Sequence, residues 1–392
     1  MTQKLKLLFH IGLLISLAIN LNLFAKEKKP PEITFNQINE HFWVLHGGNG
    51  LGANVGMSVG KDGILLIDAM NIKTGKKLIK AIRTISDKPI KYVINTHQHR
   101  DHRGGNEELV KIGATVIYPN FLKYLSGSNT RYEGVKREIQ FRDQMTLKFN
   151  NEIFNLYHVK SHTWNDVIVQ VKNSNIVFTG DNHATNWGPN IGVRGMRSHR
   201  DVIDLVLSLS DEKTVVVPGH IALADKNHVI QYDQKVQQWF EYILTSSAKG
   251  HTPEQIANTA KIKALILWFH GGKHPDWLTK ERFVARVSHT MFADEKSAIS
   301  LSRSQLTPYT GIYRLKDGSQ VEIFIHQDEL HAFKDKTFTA MLLARSKKHF
   351  DFAGWNEQER IDFEFDSNDK PTQLTFRLNG KVEFSATRIN NG

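Results

Sequence analysis

Within seven consecutive positions, Thr96-His97-Gln98-His99-Arg100-Asp101-His102, the chain sets three imidazoles and one carboxylate. Imidazole nitrogen and carboxylate oxygen both suit borderline divalent metals, and catalytic sites of this kind leave a position open for water. The spacing His97, His99, Asp101, His102 fits a pair of metals. His162 in Ser161-His162-Thr163, Asp181 in Thr179-Gly180-Asp181 and His220 in Pro218-Gly219-His220 each follow or flank a strand-type run, so all can meet at one cleft edge. The 392 residues contain no cysteine, which excludes thiolate ligands and disulfides alike.

These residues need a scaffold that brings strand ends together. From Phe35 to about Val217, short β-type runs alternate with amphipathic helical ones. Phe42 to Leu45, Ala53 to Val59 and Gly63 to Asp68 read as strands separated by Gly-rich or Asp-Gly turns. Thr74 to Ile85 has the helical period, and Ile90 to Asn95 follows as a buried strand, completing a β-α-β unit. The histidine cluster starts where that strand ends, the place where ligands gather in open α/β sheets. Gly104 to Ile112 reads as a helix. Ala114 to Tyr118, Phe154 to Val159, Asp166 to Val171, Ile176 to Thr179 and Thr214 to Val217 read as further strands.

Beyond His220 the pattern turns helical, with a long segment near Val229 to Ala248 and a clean start at Thr252-Pro253-Glu254-Gln255, which carries a capping box and proline at the first helical position. From Tyr309 it changes again. Gly311 to Leu315, Gln320 to His326, Glu329 to Phe333, Ile361 to Asp366, Gln373 to Leu378 and Lys381 to Thr387 alternate, joined by turns such as Asp317-Gly318 and Asn379-Gly380. This end is expected to be a small β-barrel or sandwich.

Residues 1–25 carry Lys4 and Lys6, the apolar run Leu7 to Ile19 and Ala25 before a charged stretch. They read as a signal peptide, which places the mature protein in the periplasm or outside the cell, with no stable membrane span after cleavage. The hydrophobic fraction of 40% and charged fraction of 23% are those of a packed globular protein. The formal charge is +11, but the basic residues are scattered, so no nucleic-acid partner is expected.

The H-x-H-x-D-H loop followed by three single-residue motifs in order resembles the metallo-β-lactamase superfamily over about residues 35–225. The resemblance implies an α/β protein with an αββα sandwich. It also implies His97, His99 and His162 on one metal, Asp101, His102 and His220 on the other, and Asp181 bridging both. Two zinc ions per chain are expected, with iron or manganese as alternatives. Two such ions about 3.5–4 Å apart hold a water as hydroxide and polarise the substrate's oxygen. Asp101 is then the catalytic residue, binding metal and orienting the hydroxide. The expected domains are a signal peptide (1–25), a catalytic domain (30–225), a helical extension (226–305) and a β domain (306–392). The last resembles lipocalin-like modules appended to some exported hydrolases and is read as a stabilising or oligomerising appendage.

The expected reaction is cleavage of an ester, lactone, thioester, amide or related bond in a small molecule. Asp181 together with His102 is similar to the glyoxalase-II-like ligand set, whereas most dedicated metallo-β-lactamases carry Cys or Ser at the Asp181 position. A β-lactamase remains one alternative, and a mononuclear iron, persulfide dioxygenase-like oxidoreductase the other. A non-enzymatic alternative, with a vestigial site, is opposed by the intact seven-residue set. Elsewhere, His41, His228 and His349 read as ordinary structural histidines, and so does His158. His183 is a candidate for supporting a ligand or touching substrate. Trp268, Phe269, Trp277, Phe283 and Phe292 read as interdomain core that could also wall the cleft.

Overall fold

A computed structural model describes residues 32–48, 50–119, 137–163, 165–185, 187–189, 195–292, 299–326, 328–334, 338–352, 359–378 and 380–389. The signal-peptide reading of residues 1–25 lies outside them, as do Asn379 of the Asn379-Gly380 turn and the side chain of Phe292.

The first sheet opens as the antiparallel meander β1 (Thr34–Asn39), β2 (Phe42–His46), β3 (Val55–Gly60) and β4 (Gly63–Ile67). It then crosses through α1 (Gly75–Arg83) to parallel β5 (Ile90–Ile94). The short helices α2 (Arg100–Arg103) and α3 (Asn106–Lys111) lead to β6 (Thr115–Pro119), and β7 (Glu138–Phe141) completes seven strands in sequential order. The second sheet contains β8 (Gln144–Phe149), β9 (Glu152–Val159), β10 (Asp166–Val171) and β11 (Ile176–Gly180). After α4 (Gly195–Ser208) comes β12 (Val215–Pro218), parallel to β11.

Burial explains the layering. Between the sheets, Phe42, Val44, Leu65 and Ile67 meet Phe154, Leu156, Val167, Val169 and Phe178 in one apolar layer. On the outer face of the first sheet, Leu78 and Ile82 of α1 and Leu109 of α3 pack on Leu66 and Val93. On the outer face of the second, Val202, Ile203 and Val206 of α4 pack on Ile168, Val177 and Val216. Each such side chain contributes about 1.5–3 kcal/mol by leaving water. The result is the α/β/β/α sandwich expected from the sequence.

The helical part follows as α5 (Lys226–Ala248), α6 (Pro253–Ala257), α7 (Ala260–Phe269) and α8 (Lys280–Phe292). The Thr252 capping box forms, but its helix is one turn long, because Thr259 caps a new one. Trp239, Phe269 and Phe283 lie in the core of this part. Trp239 donates its indole N–H to Thr290. After α9 (Arg303–Leu306), strands β13 to β20 span Gly311 to Arg388 and close into an antiparallel barrel, Tyr313 pairing with Arg388 across the seam. The barrel is filled by Tyr313, Ile323, Leu330, Phe350, Phe363 and Leu374, as expected for eight strands.

The structure adds elements the pattern did not reveal. β7 and β8 are sheet-edge strands of four and six residues; each alternates polar and apolar residues, but the inward side is fully buried only at Phe141 and Phe149, so the signal is short and weak. β16 (Phe338–Ala344) and β17 (His349–Phe352) raise the barrel from six read strands to eight. Ala53 and Asn54, read as strand, instead donate their backbone N–H groups to Asp101 O and Gly219 O, at 2.8 and 2.7 Å. They hold the loops of the site. Among the described residues no helix is long and apolar enough to cross a membrane.

Candidate metal centre

All seven residues converge at one edge of the two facing sheets. His97, His99, Asp101 and His102 come from the loop after β5 and from α2, His162 from the loop between β9 and β10, Asp181 from the end of β11, and His220 from the loop after β12. Their ligand atoms fall into two clusters, His97, His99, His162 and Asp181 in one and Asp101, His102 and His220 in the other.

In the first cluster, His99 Nδ1 lies 3.0 Å from both His97 Nε2 and His162 Nε2. Asp181 Oδ2 lies 3.9 and 3.6 Å from the same two nitrogens. In the second, Asp181 Oδ1 lies 3.2 Å from His102 Nε2 and 3.5 Å from His220 Nε2, and Asp101 Oδ2 lies 3.2 Å from His220 Nε2. Tetrahedral zinc ligands stand about 3.3 Å from one another. The two oxygens of Asp181 therefore face different clusters, the arrangement of a bridging carboxylate.

A second observation tests the fit. His102 Nε2, His220 Nε2 and Asp181 Oδ1 are buried without a hydrogen bond of acceptable geometry, although they lie within 3.5 Å of one another's ion-pair partners. Buried polar atoms are nearly always satisfied, and a divalent cation is the group that would satisfy these three together. The donor set of nitrogen and carboxylate oxygen fits zinc, iron or manganese.

Electrostatics divide the clusters. Burial lowers the pKa of His97, His99 and His162, the last to about 3, and neighbouring histidines add to this, so all three are neutral and ready to ligate. Burial also opposes charge on His102 and His220, but the carboxylates of Asp181 and Asp68 outweigh it at His102, which rises well above its usual value. The close carboxylates of Asp101 and Asp181 raise His220 to about 9. For Asp101 burial is outweighed by His220 and His102, and its carboxyl falls to about 2. Asp181 is likewise held well below the usual range despite its burial.

The pattern reading missed Asp68. Its Oδ2 lies 2.8 Å from His102 Nδ1, and it accepts hydrogen bonds from Thr96 N–H at 2.8 Å and Thr96 Oγ1–H at 2.7 Å. A lone aspartate after a strand has no spacing signal, although its place at the end of the wholly buried run Gly63 to Ile67 is one. Asp68 and Ile221 both have positive φ, 67° in each case, and flank the centre in sequence. Backbone strain of this kind is concentrated at functional sites. Gly219 is required sterically, since a Cβ there would lie 2.1 Å from Asp181 Oδ1. Asn54 fixes the same loop by donating to Pro218 O and Ile221 O.

Asn182 Oδ1 accepts from His162 N–H at 3.1 Å, and buried Asp166 accepts from Thr163 N–H, so the His162 loop is held from both sides. Lys160, two residues before His162, pairs with Glu329 of β15 (Glu329–Lys334) at 2.6 Å, linking the barrel to that loop. His183 does not join the clusters. It is buried, 2.9 Å from His228 Nδ1, and lies edge-on to Tyr232, so it supports the chain beside Asp181. His158 Nδ1 lies 2.9 Å from Arg142 O, a structural contact. Trp187, beyond the sequence reading, covers His220 at 5.3 Å between ring centres, and Trp277 stands 5.7 Å behind it. His99 and Asp101 are the open side.

Residues 48–220 match the family model described as the metallo-beta-lactamase superfamily. A hydroxyacylglutathione hydrolase of Pelagibacter ubique is 36% identical over 103 residues, 26% of this chain and 40% of that protein. A metallo-beta-lactamase type 2 of a Bacillus species is 26% identical over 209 residues, 50% of this chain and 78% of that one. Among solved structures, a double mutant of the sec-alkyl sulfatase PisA1 superposes with a TM-score of 0.50 at 17% identity, covering 65% of this chain and 50% of that one. The chain spans less than two thirds of the length of the hydroxyacylglutathione hydrolases it matches.

Proposed function

We propose, on the premise that residues 48–220 form a domain of the metallo-beta-lactamase superfamily, that this chain is an exported two-zinc hydrolase. It cleaves an ester, lactone, thioester or amide bond in a small molecule. The observation that carries the reading is the division of Asp181, with Oδ2 toward His97 and His162 and Oδ1 toward His102 and His220.

Bound divalent ions would supply Lewis acidity and a water of lowered pKa. The residues of the chain do the rest. His97, His99 and His162 would hold one ion as neutral imidazoles, His102, His220 and Asp101 would hold the other, and Asp181 lies between the two clusters with one oxygen toward each. Asp101, with 37% of its side chain exposed and a carboxyl held ionised, faces the open side and orients the attacking water. Trp187 covers His220 and limits water access from that direction. No side-chain nucleophile is required. Similarity to hydroxyacylglutathione hydrolases and the aspartate at position 181 favour ester-type chemistry over a dedicated β-lactamase.

The test is metal analysis with a substrate panel of a β-lactam, a lactone, a thioester, a phosphodiester and an alkyl sulfate. Two zinc ions per chain and chelator-sensitive hydrolysis are expected. One iron with oxygen consumption would overturn the reading. Fractionation of cells expressing the full chain tests export, with the mature protein expected to begin near residue 26.

A further inference from the structure

Behind Trp187 the helical part forms a cavity of about 410 Å³, lined by Pro189, Trp277, Arg282, Arg286 and His289 among others. That volume is in the range of small-ligand sites. Arg286 is partly buried, its Cζ 5.8 Å from the Trp277 ring, and its only hydrogen bond among the described residues is a 3.3 Å contact from Nη1 to Pro189 O. Arg282 donates to Trp277 O at 2.9 Å. Neither arginine pairs with a carboxylate among the described residues. A guanidinium has five N–H donors, so most of those on Arg286 have no acceptor among the described residues. Trp187 Nε1 is a further buried donor without a partner. Its ring touches His220 on one side and Trp277 on the other.

Arg282 and Arg286 thus bring positive charge to a pocket lined by Trp277, whose ring stands 5.7 Å from Trp187, which in turn stands 5.3 Å from His220. We infer that this cavity binds the anionic end of the substrate, a carboxylate or sulfonate-type group on a flat or aromatic body, with Arg286 as its specificity residue. This rests on the hydrolase reading for its kinetics, but the binding it describes does not need turnover.

Metal-loaded full-length protein is assayed with phenyl acetate, 4-acetoxybenzoate and 4-acetoxybenzenesulfonate, and benzoate and benzyl alcohol are titrated against tryptophan fluorescence. The anionic esters are expected to have the lower KM, and the preferred one identifies the anion. Arg286→Met is expected to raise their KM by about 10–100-fold, the loss of a charge-assisted hydrogen bond, with kcat and phenyl acetate turnover within about twofold. Arg286→Lys should recover part of the loss. Benzoate, and not benzyl alcohol, should change the fluorescence. Equal losses on all three esters in Arg286→Met would show that Arg286 only props Pro189, and the inference fails. Should that variant not fold, Arg282→Met and the wild-type titration decide, and equal response to benzoate and benzyl alcohol overturns it. Benzoate binding without hydrolysis of any ester would instead defeat the hydrolase reading alone.

Discussion

Asp68 Oδ2 stands 2.8 Å from His102 Nδ1, so the imidazole is gripped at one nitrogen while the other, Nε2, is aimed 3.2 Å from Asp181 Oδ1. The carboxylate fixes both the ring's orientation and its tautomer, and it makes Nε2 a better ligand. Asp68→Ala is expected to weaken the second metal by roughly 10–100-fold while leaving the first in place. Metal titration against a competing chelator checks this, and an unchanged second affinity would discard the role.

Asp181→Ala removes the carboxylate whose two oxygens face the two clusters. One metal per chain and a loss of activity beyond the roughly 100-fold of an outer ligand partner are expected. Normal turnover with two metals would remove Asp181 from the bridge.

Gly219→Ala tests the same point without touching a ligand. The added Cβ would sit 2.1 Å from Asp181 Oδ1 and 2.8 Å from His102 Cε1, so the carboxylate must move. Metal content and activity should fall together while the circular dichroism spectrum is kept. Full metal loading would show that the β12 loop yields instead.

Metal uptake should release protons. His102 and His220 are held protonated by their carboxylate neighbours, His220 up to about 9, and both must be neutral to ligate. Affinity therefore rises as pH increases toward that value and falls as it drops. Calorimetry at pH 7 in buffers of different ionisation enthalpy should report about two protons per chain, and zero would contradict the assignment.

Asp166 gives a stability effect of opposite origin. Burial raises its carboxyl from 3.8 to about 7, against the hydrogen bonds from Thr163 that lower it. A folded pKa above the unfolded one means its stabilisation is complete below 3.8 and lost as pH rises through about 7. The ceiling is about 4 kcal/mol at 1.36 kcal/mol per unit. In metal-free protein, the stability of wild type relative to Asp166→Asn should decline across that window and level above it. A flat difference in urea midpoints would place the Asp166 carboxyl at its ordinary value.

The strand and helix order of the sandwich was legible because each element carries one buried stripe, as Leu78 and Ile82 do in α1. The edge strands β7 and β8 and the barrel strands β16 and β17 were not, because they are only four to seven residues long, and an alternation over so few positions, as in β8 and β17, is a weak signal until neighbouring strands pair with it. The same contrast holds at the site. Residue type and local spacing by themselves determined the seven candidate ligands, since imidazoles and carboxylates crowded at strand ends have few other uses. Only the tertiary structure decided that Asp181 divides its two oxygens between clusters, that Asp68 grips His102 from 34 positions away in sequence, and that Trp187, Trp277 and Arg286 stand together behind His220. Those relations depend on distance and orientation between segments far apart in the chain, which packing of the sheets and helices sets and no local pattern encodes.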